Sequence, residues 1–394
     1  MKAYVLDGKW APKEGYELNP RELADHRAAR GDFVWRDVSA GIVDWETPKP
    51  KDDEVLIKVG ACGVCGSDMH AAEMDADGYT MFSGHLRLPV IMGHEFAGEI
   101  VEVGKDIKDY KVGDLIAAEQ IRWCGKCAAC RIGMFNNCHM LEELGLSDHG
   151  AFSEYAVVPE KYCCNINNIA ELLGDPLAAM EAGALSEPTG VAYNGMMING
   201  GGVQPGSHVA VFGTGPIGLS AIALARASGA AKIFAFDTVE EKLGLAKAVG
   251  ADYTYSPIEL VKQGSSPSQV VMDLTSGTGC KVVVEAAGNS NRTYPEIVKL
   301  MSIGANVVQL GMSGGLSTID LTPFQIKGCS MTGSLGTAGN AIIPSVLRMM
   351  AQGSIDMRKI ITGRYNLLDT AAAIEDAKSG KHGKILVSQM YDKR

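Results

Sequence analysis

The sequence predicts an α/β protein with two domains, of which the first is rich in strands and the second contains a doubly wound parallel sheet. Its 394 residues exceed what one hydrophobic core usually supports. Up to about residue 190, short apolar runs are separated by Gly, Asp and Pro, as in a protein of strands and turns. From about Val191, strand-like and helix-like segments alternate, which is typical of parallel strands joined by crossover helices.

The first half contains three β-prone runs that predict strands, at Val55–Val59, Phe96–Val103 and Phe152–Val158. Residues 8–45 contain three tryptophans and many charges, but their pattern predicts no particular element. The predicted strands of the second half are His208–Phe212, Lys232–Phe236, Val282–Glu285, Asn306–Leu310, a segment near Ile360, and Lys384–Val387. The predicted helices are Ile217–Ser228, Val239–Val249, Ala341–Ala351 and Thr370–Ala377.

The composition is that of a soluble globular enzyme, with 46% hydrophobic and 21% charged residues. The formal net charge is −10, whereas nucleic acids and anionic membranes attract clustered Lys and Arg, so we expect neither as a partner. No uncharged apolar run reaches the roughly 18 residues that a membrane-spanning helix needs. The segment Met1–Trp10 lacks the apolar core of a secretory signal, and we therefore expect a cytoplasmic protein.

Four cysteines within fifteen residues are the most distinctive feature of the chain. Two-residue gaps let one tight loop direct several sulfur atoms at a common centre, and a fourth thiolate completes a tetrahedron around zinc. Disulfide pairs are the alternative, but a cysteine pattern of this kind in a cytosolic chain favours a metal. We therefore predict a structural zinc ion bound by Cys124, Cys127, Cys130 and Cys138.

A glycine-rich turn predicts a dinucleotide site. It follows a predicted strand, opens a predicted helix and consists of Gly213, Thr214, Gly215, Pro216, Ile217 and Gly218. Its three glycines permit a tight turn, the approach of a pyrophosphate and close helix packing, and the helix N-terminus offers N–H groups to the phosphates. Asp237 ends the next strand, where a carboxylate binds ribose hydroxyls and repels a 2′-phosphate, which predicts NAD rather than NADP. A glycine turn without a cofactor is the alternative.

Three distant segments predict a second metal site. They are Cys62–His70 (Cys-Gly-Val-Cys-Gly-Ser-Asp-Met-His), Gly93–Gly98 (Gly-His-Glu-Phe-Ala-Gly) and Ser186–Thr189 (Ser-Glu-Pro-Thr). Cysteine, histidine and carboxylate without a fourth thiolate form the ligand set of a catalytic zinc with an open position. Taken singly, these residues have structural alternatives as core thiols, a buried histidine or a helix cap. Their joint occurrence in one chain favours the metal site.

These motifs resemble those of the zinc-dependent medium-chain alcohol and polyol dehydrogenases. The resemblance runs from about Val55 to the C-terminus and rests on the Cys-Gly-x-Cys-Gly-Ser-Asp-x-His and Gly-His-Glu-x-x-Gly motifs, the four-cysteine loop and the glycine-rich turn. It implies a GroES-like, β-rich catalytic domain at 1–190 and a Rossmann NAD-binding domain at 191–333. A C-terminal segment, 334–394, is expected to return to the catalytic domain.

The resemblance also implies the ligands of the catalytic zinc. Cys65 and His94 match ligand positions, whereas Cys62 matches a position that is not a ligand. Glu187 occupies the place where simple-alcohol dehydrogenases have a third ligand cysteine. Glu95 and Glu187 are therefore expected to share the remaining coordination, directly or through water, as in the sorbitol dehydrogenase branch.

The resemblance also implies which residues bind the cofactor and which transfer the substrate proton. Lys242 matches a contact to the adenosine ribose. Zinc would act as a Lewis acid on the substrate oxygen. Ser67 would pass the hydroxyl proton toward His70 and solvent, although His70 also fits a plain surface histidine. The segment expected to hold the nicotinamide carboxamide by main-chain groups consists of Leu310, Gly311 and Met312.

We therefore predict a zinc- and NAD-dependent dehydrogenase, with one catalytic and one structural zinc, that converts a secondary hydroxyl of a polyol, sugar or cyclitol into a ketone. A ketone reductase working in the opposite direction fits the same sequence. A zinc-ribbon interaction module is a third interpretation, which the acidic charge and the glycine-rich turn oppose. The segment Gly8–Trp45 and the insertion Asn168–Met180 are unusual for the family, and the long first segment looks closest to bacterial inosose and aminocyclitol dehydrogenases.

Two further expectations concern the substrate cleft and the quaternary structure. Polar residues between Glu73 and His85 are expected to pair with substrate hydroxyls, unless they form a solvated surface loop. An open parallel sheet has an edge that must be covered, and the family pairs such sheets across a two-fold axis. We therefore expect a homotetramer, or otherwise a homodimer, with contacts near Asn306–Leu310 and the glycines that follow it.

Overall fold

The computed structural model describes residues 1–392, which form two compact units. The first unit comprises Met1–Glu187, Gly363–Ser379 and the chain from Ile385, and the second comprises Pro188–Thr362 and Gly380–Lys384. The predicted division placed all of 334–394 with the catalytic domain, whereas residues 334–362 lie in the second unit. Side chains of that segment lie close to Gly190, which belongs to the second unit as well.

The first half of the chain contains ten strands and seven helices. In chain order they are β1 (Lys2–Trp10), α1 (Pro20–Asp25), α2 (Gly31–Val34), β2 (Trp35–Asp44), β3 (Glu54–Gly63), α3 (Gly66–Ala72), β4 (Val90–Ile91), β5 (Glu95–Val103), β6 (Leu115–Ala118), β7 (Ile121–Arg122), α4 (Ala128–Arg131), β8 (Glu142–Glu143), β9 (Tyr155–Pro159), β10 (Cys163–Asn165), α5 (Asn167–Leu173), α6 (Pro176–Ala184) and α7 (Ser186–Tyr193). The predicted strands of this half are present, whereas none of its seven helices was expected.

The second half alternates strands and helices. They are β11 (His208–Phe212), α8 (Pro216–Ala227), β12 (Lys232–Phe236), α9 (Glu240–Ala248), β13 (Tyr253–Tyr255), α10 (Pro257–Lys262), α11 (Pro267–Leu274), β14 (Cys280–Glu285), α12 (Ser290–Leu300), β15 (Met301–Gln309), α13 (Thr322–Lys327), β16 (Ser330–Gly333), α14 (Ile342–Ala351), β17 (Ile361–Asn366), α15 (Thr370–Lys378) and β18 (Lys384–Ser388). Every strand and helix predicted for this half is confirmed. None of the helices described is long and apolar enough to span a bilayer.

The first unit is built on a mostly antiparallel sheet in the order β10-β6-β5-β3-β18-β17, with β9 also paired to β3. Its core contains the buried side chains of Ile57, Phe96 and Phe152. The insertion at 168–180 forms α5 and part of α6, and α6 packs directly on the sheet. Next to the insertion, Glu181 accepts hydrogen bonds from Arg364 Nε at 2.6 Å and Nη2 at 2.8 Å.

The N-terminal segment that gave no sequence signal is an antiparallel pair, β1 and β2, joined by the excursion 11–34. Trp10 stacks on His26 with ring centroids 4.6 Å apart and meets Trp35 edge-on at 5.0 Å. The buried carboxylate of Glu22 accepts hydrogen bonds from the Tyr16 hydroxyl and from two backbone N–H groups. Ring stacking and side-chain capping hold the excursion together, and neither produces a periodic pattern in the sequence.

The second unit is a doubly wound sheet of six parallel strands in the order β13-β12-β11-β14-β15-β16. Strands β11, β12 and β14 are almost completely buried, as expected for a sheet with helices on both faces. The run Asn306–Leu310, expected at the contact between subunits, lies largely in β15 between β14 and β16. The expectation that this run lies at an edge of the sheet is wrong, because the edge strands are β13 and β16.

Candidate metal centres and nucleotide site

The first candidate site begins at the turn before β5. Gly93 has a φ of +88°, and a Cβ there would lie 2.7 Å from Cys62 Sγ. The motif Gly-His-Glu therefore needs its glycine for both its backbone conformation and its packing. The turn places His94 and Glu95 side by side at the start of β5, and both side chains are buried.

The cysteine of this site lies immediately before α3. Asp68, three residues further along the motif, is fully buried and accepts a hydrogen bond from the Cys65 N–H at 2.9 Å. Its other carboxylate oxygen lies 3.6 Å from His94 Nδ1. A carboxylate behind one imidazole nitrogen orients the ring, so that the other nitrogen is available to a metal. Asp68 is thus a positioning residue, which the sequence pattern contained but which we did not single out.

The structure brings together three of the four predicted catalytic ligands. Donor atoms of Cys65, His94 and Glu95 all lie within 4.8 Å of one another. Burial acts to lower the pKa of His94, but the nearby Asp68 and Cys65 outweigh it and raise the pKa well above its usual range. Sulfur, nitrogen and oxygen donors converging in this way fit zinc. Burial raises the pKa of the Cys62 thiol, which agrees with a neutral group that is not a ligand.

Glu187 does not belong to that group of three. It lies in α7, is buried, and accepts a hydrogen bond from Gln120 Nε2 at 2.6 Å. The sequence gave no signal for Gln120, which reaches Glu187 across 67 positions of the chain. Gln120 therefore fixes one oxygen of the carboxylate that was expected to complete the metal site.

Ser67 and His70 lie on the same short helix but in different surroundings. The Ser67 hydroxyl is 3.3 Å from His94 Nε2, which places it at the metal ligands. His70 is exposed, with Nδ1 3.8 Å from a Glu73 carboxylate oxygen. Within residues 1–392 no hydrogen bond joins Ser67 to His70, so the relay between them stays a prediction.

The four-cysteine loop forms a second cluster, in which all sulfur atoms lie within 4.8 Å of one another. Each of these cysteines is free of a disulfide. Hydrogen bonds from the backbone N–H groups of Cys130 and His139 lower the pKa of Cys127 to about 6. A thiolate held in this way suits a metal, and four converging sulfur donors fit a closed zinc site. The cluster contains Cys124, Cys127, Cys130 and Cys138.

In the second unit, the glycine-rich turn joins β11 to α8 as expected. A Cβ on Gly213 would lie 2.5 Å from the Ala287 N atom, and a Cβ on Gly218 would overlap the Gly213 carbonyl. Around Gly215, by contrast, no atom lies within 4 Å of the Cβ position, which leaves space for a ligand. These surroundings match the roles expected of the three glycines: Gly213 makes the tight turn, Gly218 allows close packing of the helix, and Gly215 lets a pyrophosphate approach the backbone. Pro216 and Ile217 form the first turn of α8.

Asp237 follows β12 and lies against the glycine-rich turn. Its Oδ2 accepts hydrogen bonds from the Thr214 N–H at 2.7 Å and from the Thr214 hydroxyl at 3.0 Å. Lys242 lies in the first turns of α9, which begins at Glu240. The carboxylate therefore helps to shape the turn, a contact that the sequence did not predict.

The segment after β15 is held by its own backbone. The N–H groups of Leu310 and Gly311 donate to the Glu285 carbonyl at 2.8 and 2.9 Å. The Gly311 carbonyl accepts a hydrogen bond from Gln309 at 2.6 Å, and Met312 is 74% exposed. The expected contact of this segment with a carboxamide stays a prediction.

The polar residues between 73 and 85 are mostly engaged within the protein. Glu73 pairs with Lys378 at 3.2 Å. Asp75 accepts hydrogen bonds from the Tyr79 N–H at 2.9 Å and contacts Lys13 at 3.4 Å. These side chains hold the N-terminal excursion and the C-terminal helix in place, so the structure gives no support to their expected role in binding substrate hydroxyls.

Two family models match the chain. The alcohol dehydrogenase GroES-like domain matches residues 51–168, and the zinc-binding dehydrogenase model matches residues 216–352. The first matched region contains both cysteine motifs and the Gly-His-Glu turn, and the second contains the strands and helices after the glycine-rich turn begins. Together they argue against a zinc-ribbon interaction module.

Individual relatives agree with the family models. The scyllo-inosose 3-dehydrogenase of Thermotoga maritima is 35% identical over 395 residues, which cover 97% of this chain and 98% of that protein. The L-threonine 3-dehydrogenase of Pyrococcus furiosus is 35% identical over 352 residues, which cover 88% of this chain and 94% of that protein. A solved Thermotoga maritima structure, of a protein assigned to the alcohol dehydrogenases, has a TM-score of 0.92 at 33% identity and covers 98% of this chain and 99% of its own. The chain therefore belongs to the zinc-dependent medium-chain dehydrogenase family, as an oxidoreductase of secondary alcohols with zinc and NAD as its cofactors.

Proposed function

We propose that the enzyme oxidises a secondary hydroxyl of a cyclitol or a related polyol to a ketone. The observation that carries this proposal is the donor set of Cys65, His94 and Glu95, with the carboxylate of Glu187 in place of a third cysteine. Carboxylate oxygens make the metal environment harder and richer in oxygen than thiolates do, which suits substrates with several adjacent oxygens. Similarity to a scyllo-inosose 3-dehydrogenase over nearly the whole chain supports the same substrate class.

We assign the catalytic zinc to Cys65 and His94, with Glu95 and Glu187 completing the coordination directly or through water. When bound there, zinc supplies Lewis-acid chemistry that lowers the pKa of the substrate hydroxyl. Asp68 fixes the orientation of His94, and Ser67, 3.3 Å from His94 Nε2, is placed to accept the hydroxyl proton. The same groups serve the reverse reduction of the ketone, because both directions share one transition state.

For the proton path beyond Ser67, we propose His70 as the group that delivers the proton to solvent. The two residues lie three positions apart on α3, and His70 is exposed at the surface. Side chains at this spacing are neighbours on a helix, so one rotation or one water molecule can connect them.

For the cofactor, we propose that Asp237 binds the ribose hydroxyls of NAD and that Lys242 contacts the same ribose. The carboxylate lies next to the glycine-rich turn, where the phosphates of a dinucleotide would meet the N-terminus of α8. The phosphate turn consists of Gly213, Gly215, Pro216, Ile217 and Gly218, and the nicotinamide segment of Leu310, Gly311 and Met312.

We place the protein in the cytoplasm and expect it to be a homotetramer, or otherwise a homodimer. All ten cysteines are free, as a reducing compartment requires. Between β15 and α14, the stretch that contains the edge strand β16, the chain exposes large apolar side chains, of which Leu316 is 97%, Ile326 77% and Leu335 61% exposed. An apolar surface beside an unpaired strand edge favours association with a second copy of the chain.

The two zinc sites predict separable losses. Cys127→Ser should remove about one zinc ion per chain and lower the urea midpoint of unfolding, because a structural zinc contributes folding free energy. Cys65→Ser should abolish turnover while the fold and the other zinc persist. Elemental analysis, circular dichroism and steady-state rates measure these effects, with Cys164→Ser, outside both clusters, as the control. Fully active wild-type enzyme with only one zinc per chain would contradict the assignment.

The position of Asp237 predicts that kcat/KM is at least about a hundredfold higher with NAD than with NADP, since opposed like charges cost several kcal/mol. Asp237→Asn retains an acceptor for the Thr214 N–H but removes the charge, so it should improve the rate with NADP. Asp237→Ala should mainly raise the KM for NAD. Glu241→Gln, on the exposed first turn of α9, is the control. It should change neither the rate with NADP nor the KM for NAD. Equal kcat/KM for the two cofactors in the wild type would refute this role.

The proposed substrate class is tested by measuring kcat/KM with NAD across cyclitols, aminocyclitols, open-chain polyols, L-threonine and short primary alcohols. Cyclitols and their amino derivatives should rank first, open-chain polyols second and ethanol last. A site that binds hydroxyl groups discriminates against substrates lacking them by up to about 10⁴-fold. If kcat/KM were highest with ethanol, the proposed substrate class would be wrong. If it were highest with L-threonine, the substrate class would be amino alcohols instead of polyols.

Light scattering at micromolar concentration should give a mass of two or four chains. Ile326→Asp and Leu335→Asp place charges in the exposed apolar surface near β16 and should shift the mass toward the monomer. Ile132→Asp is the matched control, because Ile132 is 78% exposed and lies beside the cysteine cluster instead. A monomeric wild type, or a mass unaffected by both variants, would rule out association through this surface.

A further inference from the structure

The two-residue strand β8 presents adjacent glutamates to opposite sides. Glu142 forms ion pairs with Arg21, at 2.9 Å, and with Arg27, both in the N-terminal excursion. Successive side chains of a strand point to opposite faces, so Glu143 is directed away from those arginines. It pairs with Ile121 in the β7–β8 ladder.

The turn that follows β8 packs on the candidate catalytic site. A Cβ on Gly145 would lie 2.8 Å from the Gly93 carbonyl carbon, and the Ala151 N–H donates to the Gly93 oxygen at 2.8 Å. Gly93 is the residue before His94. The segment from Glu143 to Ala151 therefore lies against the backbone that positions the metal ligands.

On its other side, β8 adjoins the Gln120–Glu187 pair. The Leu144 N–H donates to the Gln120 carbonyl at 3.0 Å, while the side chain of Gln120 holds Glu187. The two residues that follow Glu143 thus contact the backbone at Gln120 and at Gly93, the residue before His94.

Within the part of the chain that the structure describes, the carboxylate of Glu143 forms no hydrogen bond and no ion pair. Only its backbone is engaged, for example by the Ser147 hydroxyl, which accepts from its N–H at 2.8 Å. The side chain is partly reached by solvent, yet burial raises its pKa, and the charges of His94 and Asp68 also act on it. A carboxylate that is partly withdrawn from water is costly unless something donates hydrogen bonds to it.

We propose that Glu143 is a substrate-binding residue that accepts a hydrogen bond from a second hydroxyl group of the substrate, near the hydroxyl that is oxidised. This inference rests on the proposed function, because it requires a substrate with neighbouring hydroxyl groups. Ionised carboxylates accept strong hydrogen bonds from hydroxyls. They discriminate against a substrate that lacks a hydroxyl at the matching position, because binding it would leave the carboxylate without a hydrogen-bond donor. Glu143 then contributes to the selectivity of the enzyme for polyols.

The test compares Glu143→Gln and Glu143→Ala with Glu142→Gln, whose side chain lies on the opposite face. The substrates are the best polyol of the wild type, trans-1,2-cyclohexanediol and cyclohexanol. Binding of the polyol to the NADH-loaded enzyme, where oxidation cannot proceed, is measured by calorimetry. Both Glu143 variants should raise the KM and Kd of the polyol roughly tenfold to a hundredfold, the loss of a hydrogen bond to a charged group. Zinc content, kcat and the values for cyclohexanol should change by less than about threefold.

Each other outcome has a definite meaning. A wild type that binds and oxidises no polyol contradicts the proposed function, and the role of Glu143 fails with it. A wild type that uses polyols, with an unchanged polyol Kd in Glu143→Gln, overturns the role of Glu143 alone. Equal losses for polyol and cyclohexanol, or loss of zinc, also overturn it. Glu142→Gln should leave the ratio of polyol to cyclohexanol kcat/KM unchanged even if it lowers stability, because a ratio does not depend on the amount of folded enzyme.

Discussion

The catalytic site depends on the absence of a side chain at Gly93. Its backbone has a φ of +88°, Cys62 Sγ occupies the space that a Cβ would need, and Gly145 packs against its carbonyl group. Segments that are far apart in the sequence therefore meet at one residue, and the next two residues are the proposed ligands His94 and Glu95. Close packing of backbone on backbone fixes these donors more firmly than a solvated loop would. Any side chain at this position would separate the segments and displace the ligands.

Much of the fold was predictable, because its signals are local. Buried strands such as His208–Phe212 give continuous apolar runs, and the spacing of glycines at 213–218 reports a turn that needs them. The cysteine cluster is equally local, since its four sulfur atoms come from one short segment. The three-ligand set of Cys65, His94 and Glu95 required knowledge of a family pattern, because no rule of spacing brings residue 65 to residue 94.

The remaining features were not predictable, because they arise from contacts across long stretches of chain. Gln120 meets Glu187 over 67 positions, and the turn after Glu143 packs on Gly93, which lies far earlier in the chain. The N-terminal excursion is held by stacked rings and by the buried Glu22, which give no helical or alternating period. Tertiary partners, rather than local propensity, decide such features.

The charges of the site explain why a cation belongs there. Asp68, Glu95 and Glu187 are 0%, 1% and 5% exposed, and buried carboxylates cost several kcal/mol each without compensation. A hydrogen bond from Gln120 stabilises Glu187, and Asp68, 3.6 Å from His94 Nδ1, raises the pKa of that imidazole together with Cys65. Zinc binds only the neutral imidazole, so an ion held by the proposed ligands would take the place of a proton on His94. Asp68 would favour that ion as it favours the protonated ring, through the ring nitrogen that the metal does not use.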